Sequence, residues 1–135
     1  MNQWAGAILV TKDNNIILQK RDDTPGIFNP GKITLFGGGV EQGEKIKDAV
    51  IRELLEETGL SISKDQLEPF GSYQKTLAKH GDECLCHVFI VDNVIQDDII
   101  VYEGQGFVST NKKTPVSTDT HSALTVEILN DYYKR

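Results

Sequence analysis

The chain has 135 residues, of which 39% are hydrophobic and 25% charged, and a formal net charge of −6. That length suits one domain with a core of its own, and the acidic balance argues against a broad nucleic-acid-binding surface. No apolar run approaches the ~18 residues of a membrane span, and Met1 to Gly6 lacks the basic flank and apolar stretch of a signal peptide, so one cytoplasmic domain over residues 1–135 is expected.

Ala5 to Val10 and Ile16 to Gln19 are short apolar runs separated by Lys12-Asp13-Asn14-Asn15, a turn composition, and the pair predicts a hairpin. Asp22 to Lys32 holds two prolines and two glycines and reads as a loop. Ile33 to Phe36 is β-rich and leads into Gly37-Gly38-Gly39, where the backbone is free to approach a ligand closely. Lys45 to Thr58 has helical spacing, with Ile46, Ala49 or Val50, and Leu54 on one side and Gly59 where a C-terminal cap belongs. Strand-like runs follow at Phe70 to Leu77, Glu83 to Val91, Ile99 to Tyr102 and Gly106 to Ser109, then a loop at Thr114 to Thr118. Asp119 is placed to cap a last helix, Thr120 to Tyr133, with Leu124, Ile128 and Leu129 inward. Strands around two helices make an α/β domain with a mixed sheet. Cys84, Cys86 and His87 raise the question of a soft-metal site, but no second cluster completes a ligand set, and buried reduced thiols are the better reading.

The chemistry concentrates between Gly38 and Leu60. Gly38 is followed after five residues by Glu44, and after seven more by Arg52-Glu53-Leu54-Leu55-Glu56-Glu57-Thr58-Gly59-Leu60. Glu53, Glu56 and Glu57 stand three and four apart, so on a helix they share a face and repel one another. A hard divalent cation, Mg²⁺ or Mn²⁺, relieves that repulsion. Such an ion would also let a polyphosphate approach an acidic protein.

This segment resembles the Nudix box, the signature of hydrolases acting on nucleoside diphosphates linked to another group, and every fixed position of the pattern is filled. The resemblance implies the Nudix fold, an α-β-α sandwich with a mixed β-sheet in which the box forms a loop-helix-loop. It implies Glu57 as a principal metal ligand, Glu56 as a further ligand, and Glu53 as a ligand or the base that activates water. Arg52 would orient a box glutamate through a fork-like ion pair, with Glu44 the candidate partner, and a carbonyl at Gly37 would reach the metal while Gly38 brings backbone close to the substrate. Outside the box, Tyr102-Glu103-Gly104-Gln105-Gly106 is similar to a stretch that carries an additional metal-binding glutamate in MutT-type members, which nominates Glu103. Arg21 falls where many relatives place a phosphate-contacting arginine, with a surface cation as the plainer reading. His121 falls in a region that lines the base or leaving-group pocket of some relatives, with a helix-end surface residue as the plainer reading. Phe36 stands where the family often has proline, and Ile33 and Thr34 fill a space where an aromatic is common.

The expected activity is a Mg²⁺-dependent (or Mn²⁺-dependent) pyrophosphohydrolase acting on a nucleotide-derived small molecule, a nucleoside triphosphate or a nucleotide sugar. The competing expectation is a non-catalytic Nudix-like module that binds a nucleotide as a sensor. No nucleic-acid polymer and no membrane is expected as partner, and the chain is expected to be a monomer or a homodimer.

Overall fold

A computed structural model describes residues 2–24, 29–77, 82–102 and 104–135. Among these are seven strands and two α-helices. The strands are β1 (Asn2–Thr11), β2 (Ile16–Lys20), β3 (Ile33–Thr34), β4 (Phe36–Gly39), β5 (Glu68–Leu77), β6 (Asp82–Val94) and β7 (Phe107–Thr110). The helices are α1 (Ile46–Thr58) and α2 (Ala123–Tyr133). One mixed sheet runs β3-β2-β1-β6-β5, with β4 also pairing β1 and β7 pairing β2. Only β1 and β6 are parallel; the other pairs are antiparallel.

Helices cover both faces of the sheet, so β1 reads as a continuous apolar run instead of an alternation. Ala5, Ala7 and Leu9 pack toward α1 with Phe36, Ala49, Val50 and Leu54. Ile8 and Val10 pack toward α2 with Ile128 and Leu129. Leu54 is fully buried, and burying a side chain of that size contributes about 1.5–3 kcal/mol. The result is the expected α-β-α sandwich. No helix among the described residues is long and apolar enough to cross a membrane.

The hairpin forms as expected, with Leu9 opposite Ile17 and Val10 opposite Ile16. Gly59 ends α1 in the left-handed conformation at φ 73°, its N–H bonded to Leu55 O at 3.0 Å. Strand β5 starts two residues earlier than its apolar pattern, because Pro69 sits at a bulge on the sheet edge, where a missing N–H costs no ladder bond. Cys84 and Cys86 are buried and free, and burial above all pushes the Cys86 thiol up to about 12.

Three expectations need correction. Ile33 to Phe36 is not one strand: Ile33–Thr34 pairs with β2, and Phe36–Gly39 pairs with β1, so the glycine triplet is itself strand. Ile99 to Tyr102 is not a strand. Ile99 is buried and Ile100 and Tyr102 are exposed, which explains the alternation, but the Ile100 N–H donates to Thr58 O at 3.0 Å and serves the end of α1 rather than a ladder. The last helix begins at Ala123, capped not by Asp119 but by Ser122, whose hydroxyl accepts the Thr125 N–H at 3.2 Å. Residues 118–121 are held elsewhere. Lys32 Nζ donates to the Thr118 and Asp119 carbonyls at 2.7 and 2.9 Å, and the Ile33 N–H donates to Thr120 O at 2.9 Å.

Candidate active site

The box glutamates leave α1 toward β4 and fan out. Glu57 is buried; its Oε1 accepts the Gly37 N–H at 2.9 Å, which joins helix to strand. Glu53 is largely covered and its carboxylate lies against Gly38; a Cβ on that residue would overlap it. Glu56 is more than half exposed. Gly37 stands opposite Gly6 of β1, and a Cβ there would come within 2.5 Å of Ala5 O and 2.6 Å of Trp4 Cζ2. Both glycines therefore exist to let other groups close on the backbone.

Arg52 binds this cluster together. Its Nε and Nη2 grip both oxygens of Glu44, each at 2.9 Å, a two-pronged pairing that fixes the guanidinium plane. Nη2 also donates to Gly39 O at 3.0 Å, and Nη1 donates to Glu53 Oε1 at 2.8 Å and lies 3.5 Å from Glu56 Oε2. Those hydrogen bonds to Arg52, aided by the Glu41 N–H, hold the Glu44 carboxyl down at about 2. The carboxylates in turn hold Arg52 above its ordinary value. The repulsion anticipated between Glu53 and Glu56 is thus already met in part by an internal cation. With the side chains drawn to Arg52 and Gly37, no three acidic, imidazole or thiol groups among the described residues converge as ligands in this arrangement. The donor chemistry nevertheless fits a hard cation: the available groups are carboxylate oxygens on one helix face beside strand backbone.

On the other face of the sheet, a cleft of about 170 Å³ opens beside the same glycines. Gly37 and Gly38 form one side of it, so the cleft and the carboxylates share a backbone wall. Arg21 lines the cleft, as do Trp4, Asn29, Thr34, Lys75, Ser122 and Thr125. His121 does not line it. His121 is buried, is bridged to Ile33 and has Nδ1 2.7 Å from Thr120 Oγ1, so it is neither a surface residue nor a cleft residue. Burial chiefly lowers its pKa, with the charge of Lys20 acting in the same direction and a hydrogen bond to the Ser117 backbone opposing. Glu103 lies outside the described residues. Its neighbours Gly104 to Gly106 run beside the end of β2, with the Gln105 N–H on Lys20 O at 2.9 Å and the Lys20 N–H on Gly106 O at 3.0 Å.

Sequence reasoning placed Thr34 at the pocket and missed Trp4, Asn29, Lys75, Ser122 and Thr125 as cleft residues. One signal was present. Trp4 and Gly6 are two apart in a strand and share a face, and the glycine leaves the indole room to lie on the sheet: a Cβ at Gly6 would come within 2.8 Å of Trp4 Cζ2.

Fold and box define an α/β protein whose acidic helix is buttressed by a glycine strand. The NUDIX domain family matches residues 1–116, and the chain belongs to that family. Nucleoside triphosphatase NudI of Escherichia fergusonii is 42% identical over 62 residues, 46% of this chain and 43% of that protein. The NudI of Escherichia coli is 40% identical over a stretch of the same length. The chain thus spans under half the length of these relatives. Among solved structures, the MutT protein of Methanosarcina mazei Go1 superposes with a TM-score of 0.80 at 21% identity, covering 98% of this chain and 94% of that one. The MutT NUDIX hydrolase of Burkholderia pseudomallei gives 0.78 at 22%, covering 96% of each. At those identities the likeness is one of fold.

Proposed function

We propose that the protein is a divalent-metal-dependent pyrophosphohydrolase that cleaves a nucleoside triphosphate, or a related nucleotide such as a nucleotide sugar, at a phosphoanhydride bond. One observation carries this reading: Glu53 and Glu57 close on Gly37 and Gly38, the backbone that also walls a cleft of about 170 Å³. A nucleotide seated in the cleft would present its phosphates to the acidic face of α1. Relatives that are nucleoside triphosphatases favour the triphosphate as substrate.

Glu53, Glu56 and Glu57, with the Gly37 carbonyl, would hold Mg²⁺ or Mn²⁺. When bound, such an ion neutralises phosphate oxygens and lowers the pKa of water. The chain's own residues do the rest. Glu57 anchors α1 to β4 through Gly37, so the acidic face and the cleft wall keep a fixed spacing. Arg52, clamped on Glu44, orients Glu53 and Glu56 and limits their repulsion. Glu53, pressed against Gly38, is the carboxylate we assign to take the proton of the attacking water. The new bond joins water oxygen to phosphorus, the bridging oxygen leaves with the phosphorylated remainder, and Arg21 offsets charge on the phosphates from the cleft side.

The test is a product screen over nucleoside triphosphates, nucleotide sugars and ADP-ribose, with Mg²⁺ and with Mn²⁺. Release of a nucleoside monophosphate from at least one class is expected. Nucleotide binding without turnover on any of them would instead support the sensor module.

A further inference from the structure

The chain carries 20 acidic residues, yet no carboxylate lines the cleft among the described residues. Its polar lining is weighted toward donors. Lys75 has three N–H groups and accepts nothing. The Thr34 hydroxyl is buried and finds no hydrogen-bond partner among the described residues. Ser122 Oγ and Thr125 Oγ1 lie 2.7 Å apart, and Ser122 Oγ already accepts the Thr125 N–H. Whichever hydroxyl donates to the other, one O–H of the pair is left over. The apolar part of the lining is Trp4, Leu35, Leu124 and Ile128. These flat and aliphatic surfaces suit a planar ring, and an apolar cavity of about 150 Å³ holds a benzene. The Tyr73 hydroxyl donates to Asp131 at 2.8 Å and ties β5, which carries Lys75, to α2, which carries Thr125 and Ile128.

We infer that this cleft selects nucleotides by the exocyclic group of the base, favouring heterocycles that present a ring carbonyl over those that present an amino group at the same position. The inference rests on the nucleotide reading above and deepens it. A ring carbonyl accepts from Lys75 and Thr34, whereas an exocyclic amine in its place would face the Lys75 ammonium, which can only donate. The ring N–H that accompanies the carbonyl has acceptors in the Asn29 amide oxygen and the hydroxyl oxygens. Arg21 is left to the phosphates.

Two matched pairs test this: UMP against CMP, and IMP against AMP. Members of each pair share ring size and differ in whether a carbonyl or an amine is presented. Calorimetric titration without metal, checked by the fluorescence of Trp4, the chain's single tryptophan, should show the carbonyl member binding about tenfold more tightly in both pairs, the scale of one unmade hydrogen bond. Thr34→Val and Lys75→Met should each bring the ratio toward unity without lowering the unfolding temperature. Equal affinities, tighter binding of the amino members, or no binding of any of the four at millimolar concentration would overturn the inference, as would a preference that survives both substitutions. The readout needs no turnover. Carbonyl preference in a protein that hydrolyses nothing would sink the hydrolase reading alone, and turnover without preference would sink the cleft assignment alone.

Discussion

The two faces of the sheet contribute in opposite ways. On the α1 face the candidate groups among the described residues come from one stretch of chain, residues 37–57, and a single arginine holds three glutamates in reach of one another. On the α2 face the cleft is assembled from segments as far apart as Trp4 and Ile128, and among the described residues no carboxylate lines it. On the reading proposed above, the first face serves chemistry common to many substrates and the second tells substrates apart. The glycine strand β4 belongs to both. Substitutions on the two faces should therefore separate: kcat for the first, affinity and selectivity for the second.

The largest effect is expected at Glu57. Glu57→Gln keeps an oxygen to accept the Gly37 N–H, so the link between α1 and β4 survives while the charge is lost. Circular dichroism should be unchanged and kcat should fall by ~10²–10⁴, the range for a positioned catalytic group. A surface carboxylate would show almost no loss. Next comes Arg52→Lys, which keeps the charge but cannot span both Glu44 oxygens and Glu53. Steady-state kinetics should show a ~10–100-fold drop in kcat, the scale for groups that orient ligands. A drop confined to the affinity for substrate would move Arg52 to the cleft side of the comparison.

The glycines sharpen the contrast. The atoms nearest a methyl group at Gly38 are the far end of Glu53, which can swing away, so Gly38→Ala should cost activity while the unfolding temperature moves little. A methyl group at Gly37 meets Ala5 O and the Gly6 backbone, which cannot, so Gly37→Ala should lower the unfolding temperature itself. Thermal melts paired with rate measurements distinguish the two, and equal melting losses would break the argument.

The smallest effect is one of pH. Arg52 holds Glu44 at about 2 against an ordinary 4.5, so the folded chain binds fewer protons there than the unfolded one. The stability Glu44 confers is complete above pH 4.5 and drains away as pH falls toward 2. The difference in urea midpoint between the native protein and Glu44→Gln should be flat from pH 7 to pH 4.5 and vanish near pH 2. A difference already lost by pH 4 would mean that Arg52 does not hold Glu44 as described.

The α1 face was legible in the sequence because helical spacing, a glycine stop and a fixed set of charges are local signals. The pairing of Arg52 with Glu44 came from the resemblance to the box, and it forms. The cleft could not be read this way, since Lys75 and Ser122 become neighbours of Trp4 only through strand pairing and the docking of α2. His121 shows the limit. Its neighbour Ser122 took both the helix cap and the place in the cleft, because Lys32 and Ile33 hold the preceding turn against β3. Ile99 to Tyr102 was misread for a related reason: its alternation is real, but its backbone partner is a helix end.

The central claim is that the carboxylates of α1 carry a metal-dependent cleavage of a nucleotide phosphoanhydride. Phosphorus NMR of a mixture of nucleoside triphosphates and nucleotide sugars, followed with the native protein and with Glu57→Gln, tests it most directly. The account predicts a nucleoside monophosphate and its phosphorylated remainder in Mg²⁺, arrest on adding EDTA, recovery on restoring the metal, and little turnover by Glu57→Gln. Undiminished cleavage in EDTA, or a Glu57→Gln protein as fast as the native one, would contradict it.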